Sequence, residues 1–360
     1  MIEIDGSEKS GSGTIVRDAV PFSILLGQEI RIFNIRAKRD KPGLRPQHLK
    51  AMEAAGRICE GRLEGGTVGS REIRFKPGER LNGGKFSWDI GTAGSTAMLV
   101  LCLMPLALFA DKPSHYTVTG GLFQDFAPSL FHVKHVLLPL LARMGVHAAL
   151  RIIRPGYVPR GGGQIGVEIS PLRKLLRPLN LTAQGQSSEI RGIALSSRLK
   201  ARSVSERMTK TCVKMLAKRG HRALIEVLND SLDHPAFDRP SLQAGAALAL
   251  WAETDTLCLL GADMAGARGR TAEFIGERTA RMLLEDLDSG STVDRHLGDQ
   301  LIPFAALAEG RSKFVVPSMT DHVEARLWLV ERILGARTEV QGNVITIDGI
   351  GYRRSEWAWS

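Results

Sequence analysis

A histidine, a set of arginines and two glycine-rich loops are the residues of this chain whose types and spacing could do chemistry. His322 lies in KFVVPSMTDHVEARLWLVERILG, where a short apolar stretch runs through a polar turn into a helix. Val323, Leu327, Val330 and Leu334 recur at helical intervals and Gly335 follows as a stop, so one face of that helix belongs to a core. Asp321 is the expected cap, with Glu324 three residues later completing a capping box. His322 then sits in the first turn, at the positive end of the helix dipole, which disfavours imidazolium. A neutral imidazole there could act as a nucleophile or general base, and it could equally be a solvated helix-start residue. Taken alone, the residue favours the solvated reading.

The arginines suit phosphate. RIFNIRAKRDKPGLRPQHLK, residues 31–50, holds seven Lys or Arg against the single acid Asp40, more than a mixed-charge surface loop would carry. Arg36 and Arg39 flank a strand-to-turn transition, and KPGLRPQHL sets a rigid turn before a helix, a geometry suited to bidentate phosphate contacts. In DGSEKSGSGTIVR, Gly6, Gly11 and Gly13 make a loop that runs into a helix, with Arg17 one turn inside it. Neither GxxxxGK[ST] nor GxGxxG occurs there, and no Walker motif occurs anywhere, which argues against a P-loop NTPase. The triple glycine of RPGYVPRGGGQIGVEIS implies close backbone approach, to another strand or to a ligand.

The elements that must carry these residues repeat. IEID leads into IVRDAVPFSILLG, FSWDI into TAMLVLCLMPLALFA, YTVTGG into LFHVKHVLLPLLARMG, and KFVV into HVEARLWLVERILG. Each pairs a strand with an apolar-faced helix through a polar turn, so a repeated α/β module is expected. From about 184 to 272 the glycine-rich turns give way to the basic amphipathic SVSERMTKTCVKMLAKRG, the strand ALIEVLND and the apolar ALALWAETDTLCLLGADM. This stretch reads as a smaller α/β domain, 184–272, inserted into a body made of 1–183 and 273–360.

The 360-residue chain is 43% hydrophobic and 24% charged, which fits a globular protein and not a disordered one. A net charge of +10 points to an anionic partner. Cys59, Cys102, Cys212 and Cys258 are scattered without ligand spacing, so neither a zinc site nor a disulfide framework is indicated and a reducing cytosol fits best. The polar start MIEIDGSEKS does not read as a signal peptide, and the apolar run 96–110 is too short for a membrane span and carries Pro105. Nothing in the sequence sets an oligomeric state.

Together, IRAKRDKPGLRPQHL, GTAGSTAMLVL, YTVTGG, RGGGQIGVEISP, HLGDQLIPFAALA and PSMTDHVEARLWLVERIL resemble, in the same order, the RNA 3′-terminal phosphate cyclase family. The resemblance covers nearly the whole chain. It implies an α/β (α+β) fold of repeated βαβαββ units, like the C-terminal domain of translation initiation factor 3, with a small inserted α/β domain. It also implies ATP as cosubstrate, with Mg²⁺ or Mn²⁺, and RNA bearing a 3′-terminal phosphate as partner, in the cytoplasm. In such a reaction a histidine takes AMP from ATP, AMP passes to the RNA 3′-phosphate, and the neighbouring 2′-OH closes a 2′,3′-cyclic phosphate.

His322 matches the family nucleophile. Arg17, Arg36, Arg39 and Gln47 match residues of phosphate handling, while Pro128, His296, Asp299 and Gln300 match the nucleotide site, with His296 and Pro128 on the two faces of the adenine. The chain departs from the family at Ser10, which replaces a metal-holding glutamate, and at Thr14, which replaces a glutamine. It departs again at His296, where the family has an aromatic, and at Ala325-Arg326, where a Thr-Asn pair is usual. A catalytically silent, RNA-binding branch of the family is the competing reading, which the retained His322 opposes. An enolpyruvyl transferase, also built from repeats, lacks supporting motifs here.

Overall fold

The computed structural model describes residues 1–125 and 127–354. Its first unit runs β1 (Ile2–Asp5), α1 (Gly13–Leu25), β2 (Ile30–Phe33), α2 (Pro46–Cys59), β3 (Arg62–Glu64) and β4 (Ile73–Lys76). The second runs β5 (Gly84–Asp89), α3 (Thr96–Leu108), β6 (Ser114–Gly120), then a helix made of α4 (Leu130–His132), a π-helical turn (Val133–Leu137) and α5 (Leu138–Arg143), and closes with β7 (His147–Arg154) and β8 (Gly163–Ser170). A third unit opens with β9 (Asn180–Leu181) and is interrupted by β10 (Ser187–Ser197), α6 (Val204–Ala217), β11 (Arg222–Asp230), β12 (Gly245–Thr254), β13 (Leu259–Ala265) and α7 (Ala272–Asp288). It resumes with α8 (Leu297–Gln300), α9 (Ile302–Leu307), β14 (Glu309–Val315), α10 (Asp321–Leu329), β15 (Arg337–Gln341) and β16 (Val344–Ile350).

The three sheets of the body share one strand order. They read β1-β2-β4-β3, β5-β6-β8-β7 and β9-β14-β16-β15. In each, the first two strands pair in parallel and the remaining pairs are antiparallel. The inserted sheet differs, running β11-β10-β12-β13. The strands follow the period-2 rule; in β4, Ile73 and Phe75 are buried while Arg74 and Lys76 are exposed. Helix α3 is apolar all round and buries nearly its whole length, as a helix enclosed on every side must.

Helix α7 begins at the residue where the sequence reading ended the insert, and it packs on α6 and on β12 and β13, with the inserted sheet. Gly276 lets α6 and α7 close together, since a Cβ there would lie 2.5 Å from the Met208 carbonyl oxygen. The triple glycine serves approach to the chain's own backbone. Gly161 has φ +70° and faces Thr92 and Ala93, and a Cβ on Gly163 would meet Gly156 at 2.7 Å.

The cap of α10 corrects the sequence expectation. Thr320, not Asp321, is the N-cap, its hydroxyl accepting from the Val323 N–H at 3.2 Å. Asp321 is the first helical residue, and no Glu324 capping box forms. The rest of that reading holds: Val323, Leu327, Val330 and Leu334 are buried, and Gly335, at φ +74°, ends the π-helical turn Val330–Leu334 that continues α10.

Candidate active site

The loop before α1 is built by short polar side chains. Ser12 caps the helix by accepting from the Thr14 N–H at 3.2 Å, and the Ser10 hydroxyl lies 2.9 Å from that of Ser12 and accepts from its N–H at 3.3 Å. Gly13 has no room for a side chain, because a Cβ would fall 2.0 Å from Nε2 of His48. His48 is itself buried on α2, and its Nδ1 accepts from the Arg45 N–H at 3.2 Å. Burial, helped by the charges of Arg17, Arg36 and Arg45, pushes the His48 pKa down to about 2, so this histidine packs as a neutral ring. Arg39 reaches across from the β2–α2 loop and donates to the Ser10 carbonyl at 2.9 Å. The Arg36 guanidinium turns to its own loop, donating to the Lys41 carbonyl at 2.5 Å and the Gly43 carbonyl at 3.3 Å.

Helices α1 and α10 pack against one another and bring the reactive groups together. His322 Nδ1 lies 3.1 Å from the Thr14 hydroxyl, which also accepts from Arg17 Nη2 at 3.3 Å. The hydroxyl oxygen has two lone pairs, so it can take both N–H donors and hold His322 in the tautomer whose Nε2 is free. Partial loss of water, although the residue is open on one side, lowers the His322 pKa; Arg326, Arg17 and Arg39 act the same way and Asp299 opposes them. Arg17 Nε is buried and has no hydrogen-bond partner among the described residues.

One turn beyond His322, Arg326 is buried between two carboxylates. Its Nε donates to Asp18 of α1 at 2.6 Å, and its Nη1 lies 3.0 Å from Asp299 of α8. The second approach is close but poorly directed, a charge contact more than a formed hydrogen bond. Gln300 donates to Asp299 at 3.2 Å and borders a narrow gap with Arg17, Asp18 and Arg326.

Beside Arg17 opens a cavity of about 460 Å³, lined also by Gln47, Ser95, Met98, Asp125 and Gly266, so the first and second units and the insert contribute to its wall. The Gln47 side-chain oxygen accepts from the Ser95 N–H at 3.4 Å. Pro128 is buried just before Ser129, which caps α4 by accepting from the His132 N–H. The His132 ring meets His296 edge-on at 5.4 Å. His132 Nε2 lies 2.9 Å from buried Asp294, which also accepts from the N–H groups of His296, Leu297 and Gly261. Although burial opposes it, the Asp294 charge raises the His132 pKa.

The sequence-selected residues therefore fall into connected groups. His322, Arg17, Thr14, Asp299 and Gln300 converge where α1, α8 and α10 meet; Arg39 and Ser10 border that place, and Gln47 shares the cavity with Arg17. Pro128 and His296 are linked through α4. Asp18, His48, His132 and Asp294 were missed. Asp18 had a legible signal, a charge beside Arg17 inside an otherwise apolar helix, whereas the Asp294–His132 contact spans 162 residues and left none.

The donor set does not fit a protein-held divalent cation. The Ser10 hydroxyl is committed to Ser12, and among the described residues no group of three or more His, Cys, Asp or Glu could hold a metal ion. The four cysteines are buried and free. No helix among the described residues is long and apolar enough to cross a membrane.

Three units of one topology, an inserted sheet, and a cleft where a neutral histidine faces arginines define a mixed α/β protein with a site receptive to anions. The chain belongs to the RNA 3′-terminal phosphate cyclase family, whose model matches residues 8–340. It is 38% identical to the RNA 3′-terminal phosphate cyclase of Methanopyrus kandleri over 95% of this chain and 96% of the relative. It is 39% identical to that of Caldivirga maquilingensis over 94% of each, and 38% identical to that of Methanothermobacter thermautotrophicus over 95% and 97%.

Proposed function

We propose that this protein is an ATP-dependent RNA 3′-phosphate cyclase that works through a covalent histidyl-AMP on His322. The observation that carries the reading is the pairing of the His322 Nδ1 with Thr14, whose oxygen can take the Nδ1–H and so leave Nε2 free at the start of α10, near Arg17, whose Nε has no partner among the described residues. Nε2 attacks the α-phosphorus of ATP, the bond to the β-phosphate oxygen breaks, and pyrophosphate leaves with that electron pair. An oxygen of the RNA 3′-phosphate then attacks the same phosphorus and the P–N bond breaks, restoring the imidazole. Finally the adjacent 2′-OH attacks the activated 3′-phosphorus, loses its proton and expels AMP, giving the 2′,3′-cyclic end. The last step needs ribose, hence RNA.

Arg17 and Arg39 stabilise charge on the transferring phosphoryl group, and Arg36 holds the loop that presents Arg39. Gln47 contributes to the same cavity. His296, Pro128, Asp299 and Gln300 form the nucleotide end of the site. The donor set gives no reason to route a step through a protein-bound Mg²⁺ or Mn²⁺. Inserted domain 184–272, extended by α7, forms the far wall of the cavity, and the site faces a reducing cytoplasm.

The test is incubation with α-labelled ATP. An acid-labile, alkali-stable label should appear on the protein, be absent in His322→Ala, and be discharged as AMP only by RNA ending in a 3′-phosphate. A label that survives His322→Ala sinks the assignment, and binding of RNA without any label would favour the catalytically silent branch.

A further inference from the structure

Arg326 stands where the family resemblance leads one to expect asparagine, and the structure commits it to a buried ion triad. Its side chain is 3% exposed, that of Asp18 8% and that of Asp299 14%. A guanidinium is buried at such cost only when its charge is compensated, and here two carboxylates from two other helices do so. Residues four apart on a helix share a face, with Cβ atoms ~6 Å apart, so Arg326 lies directly beneath His322 on α10. The triad thus ties α1, α8 and α10 together under the imidazole.

We propose that Arg326 is a positioning residue for His322: clamped between Asp18 and Asp299, its guanidinium occupies the Asp299 carboxylate and keeps the imidazole a free base turned to Thr14. The proposal rests on the reading of His322 as the nucleophile. The charges that act most strongly on that imidazole are Asp299 from α8, Arg326 from its own helix, Arg17 from α1 and Arg39 from the β2–α2 loop. Asp299 is the one acid among them. Without Arg326 that carboxylate would lose its cationic partner, recruit a proton onto His322, and put an uncompensated negative charge beside an incoming triphosphate. Three cations against one acid keep the pocket receptive to phosphate and the histidine unprotonated. Asp18 takes no part in this directly. It fixes the guanidinium from the α1 side, so its effect on His322 passes through Arg326.

The test titrates His322 in the full chain by NMR of histidine ¹³Cε1, assigned with His322→Asn, in the absence of nucleotide. In the wild-type protein the midpoint should lie below the ordinary 6.5. Arg326→Gln should raise it by about one pH unit. Because that variant leaves two carboxylates unpaired and can be too unstable to titrate, Asp18→Asn/Arg326→Gln removes one of them. It should recover thermal stability while the raised midpoint remains. Asp299→Asn/Arg326→Gln should return the midpoint to the wild-type side. A wild-type midpoint in Asp18→Asn/Arg326→Gln, or a raised one that Asp299→Asn does not reverse, overturns the proposal and leaves Arg326 a packing residue. The titration needs no ATP, so it stays informative if the adenylyl label falls elsewhere, which would overturn only the assigned nucleophile.

Discussion

Helices α1 and α3 hold the same place in two units with the same sheet order, and each is 13 residues long. They differ in what they bury. Helix α3, TAMLVLCLMPLAL, carries no charge and packs on α1, α2 and β8. Helix α1, GTIVRDAVPFSIL, places Thr14, Arg17 and Asp18 toward α10, where His322 and Arg326 meet them. A buried charge destabilises unless it is paired, so a charged helix face must be matched by its neighbour. The candidate site accordingly centres on the contact between the first and third units, and α3 of the second packs against α1 as an apolar floor. Arg17 and Asp18 of α1, met by His322 and Arg326 of α10, set this contact apart from the uncharged one that α3 makes.

Injuring each helix once separates their roles. Arg17→Ala should lower the rate of histidyl-AMP formation by roughly 10²–10³-fold, the size expected when a donor to a developing charge is lost. Leu103→Ala, at a fully buried position in α3, should instead cost about 3 kcal/mol of stability and leave the labelling rate per folded molecule unchanged. Urea unfolding and label incorporation, measured on both, decide the matter. A larger loss of labelling in Leu103→Ala than in Arg17→Ala would show that the floor takes part in the chemistry.

Much of this division could be read from the sequence, for physical reasons that differ by region. The strand-to-helix units were legible because period-2 and period-3.6 patterns are local, and α3 stood out as a continuous apolar run. His322 was visible as a helix-start residue, and family resemblance gave it a role that position alone did not. The partners of Arg326 were not legible, since Asp18 is 308 residues away and nothing local marks the pair. The cap was misplaced by one residue because Thr320 and Asp321 are both good caps and only backbone geometry separates them. The packing of α7 was hidden for a similar reason: α7 looks like any amphipathic helix, and its contact with α6 leaves no local mark.

A milder test sharpens the role of the first unit's loop. Arg36 has φ +53° and spends its guanidinium on the Lys41 and Gly43 carbonyls, holding the segment from which Arg39 projects. Arg36→Lys keeps the charge and loses the fork, so the loop should loosen and labelling fall by roughly threefold to tenfold. Arg39→Ala should lose more than that. Wild-type labelling in Arg36→Lys, together with unchanged proteolysis of the 34–45 loop, would mean that the charge alone suffices.

The smallest expected effect on labelling at neutral pH belongs to a pair of buried histidines, one in each of the first two units, that answer acid in opposite ways. His48 packs against Gly13 with its pKa pushed down to about 2, mainly by burial. Below the ordinary 6.5 the unfolded chain binds a proton that the folded His48 refuses, so its contribution is whole above pH 6.5 and is lost as pH falls toward 2. His132, held by Asp294, has a raised pKa, so its contribution is whole below 6.5 and is lost as pH rises through the folded-state value. His48→Asn keeps an acceptor for the Arg45 N–H and removes the titrating group. Between pH 7 and pH 5 the variant should lose about 2 kcal/mol less stability than the wild type, at ~1.4 kcal/mol for each pH unit below 6.5. Urea unfolding at the two pH values measures the difference, and His132→Asn should change it in the opposite sense. Equal acid dependence in His48→Asn and the wild type would mean that His48 takes up a proton in the folded state. The ring wedged over Gly13 would then be a charged group of the site, and not a neutral spacer beneath it.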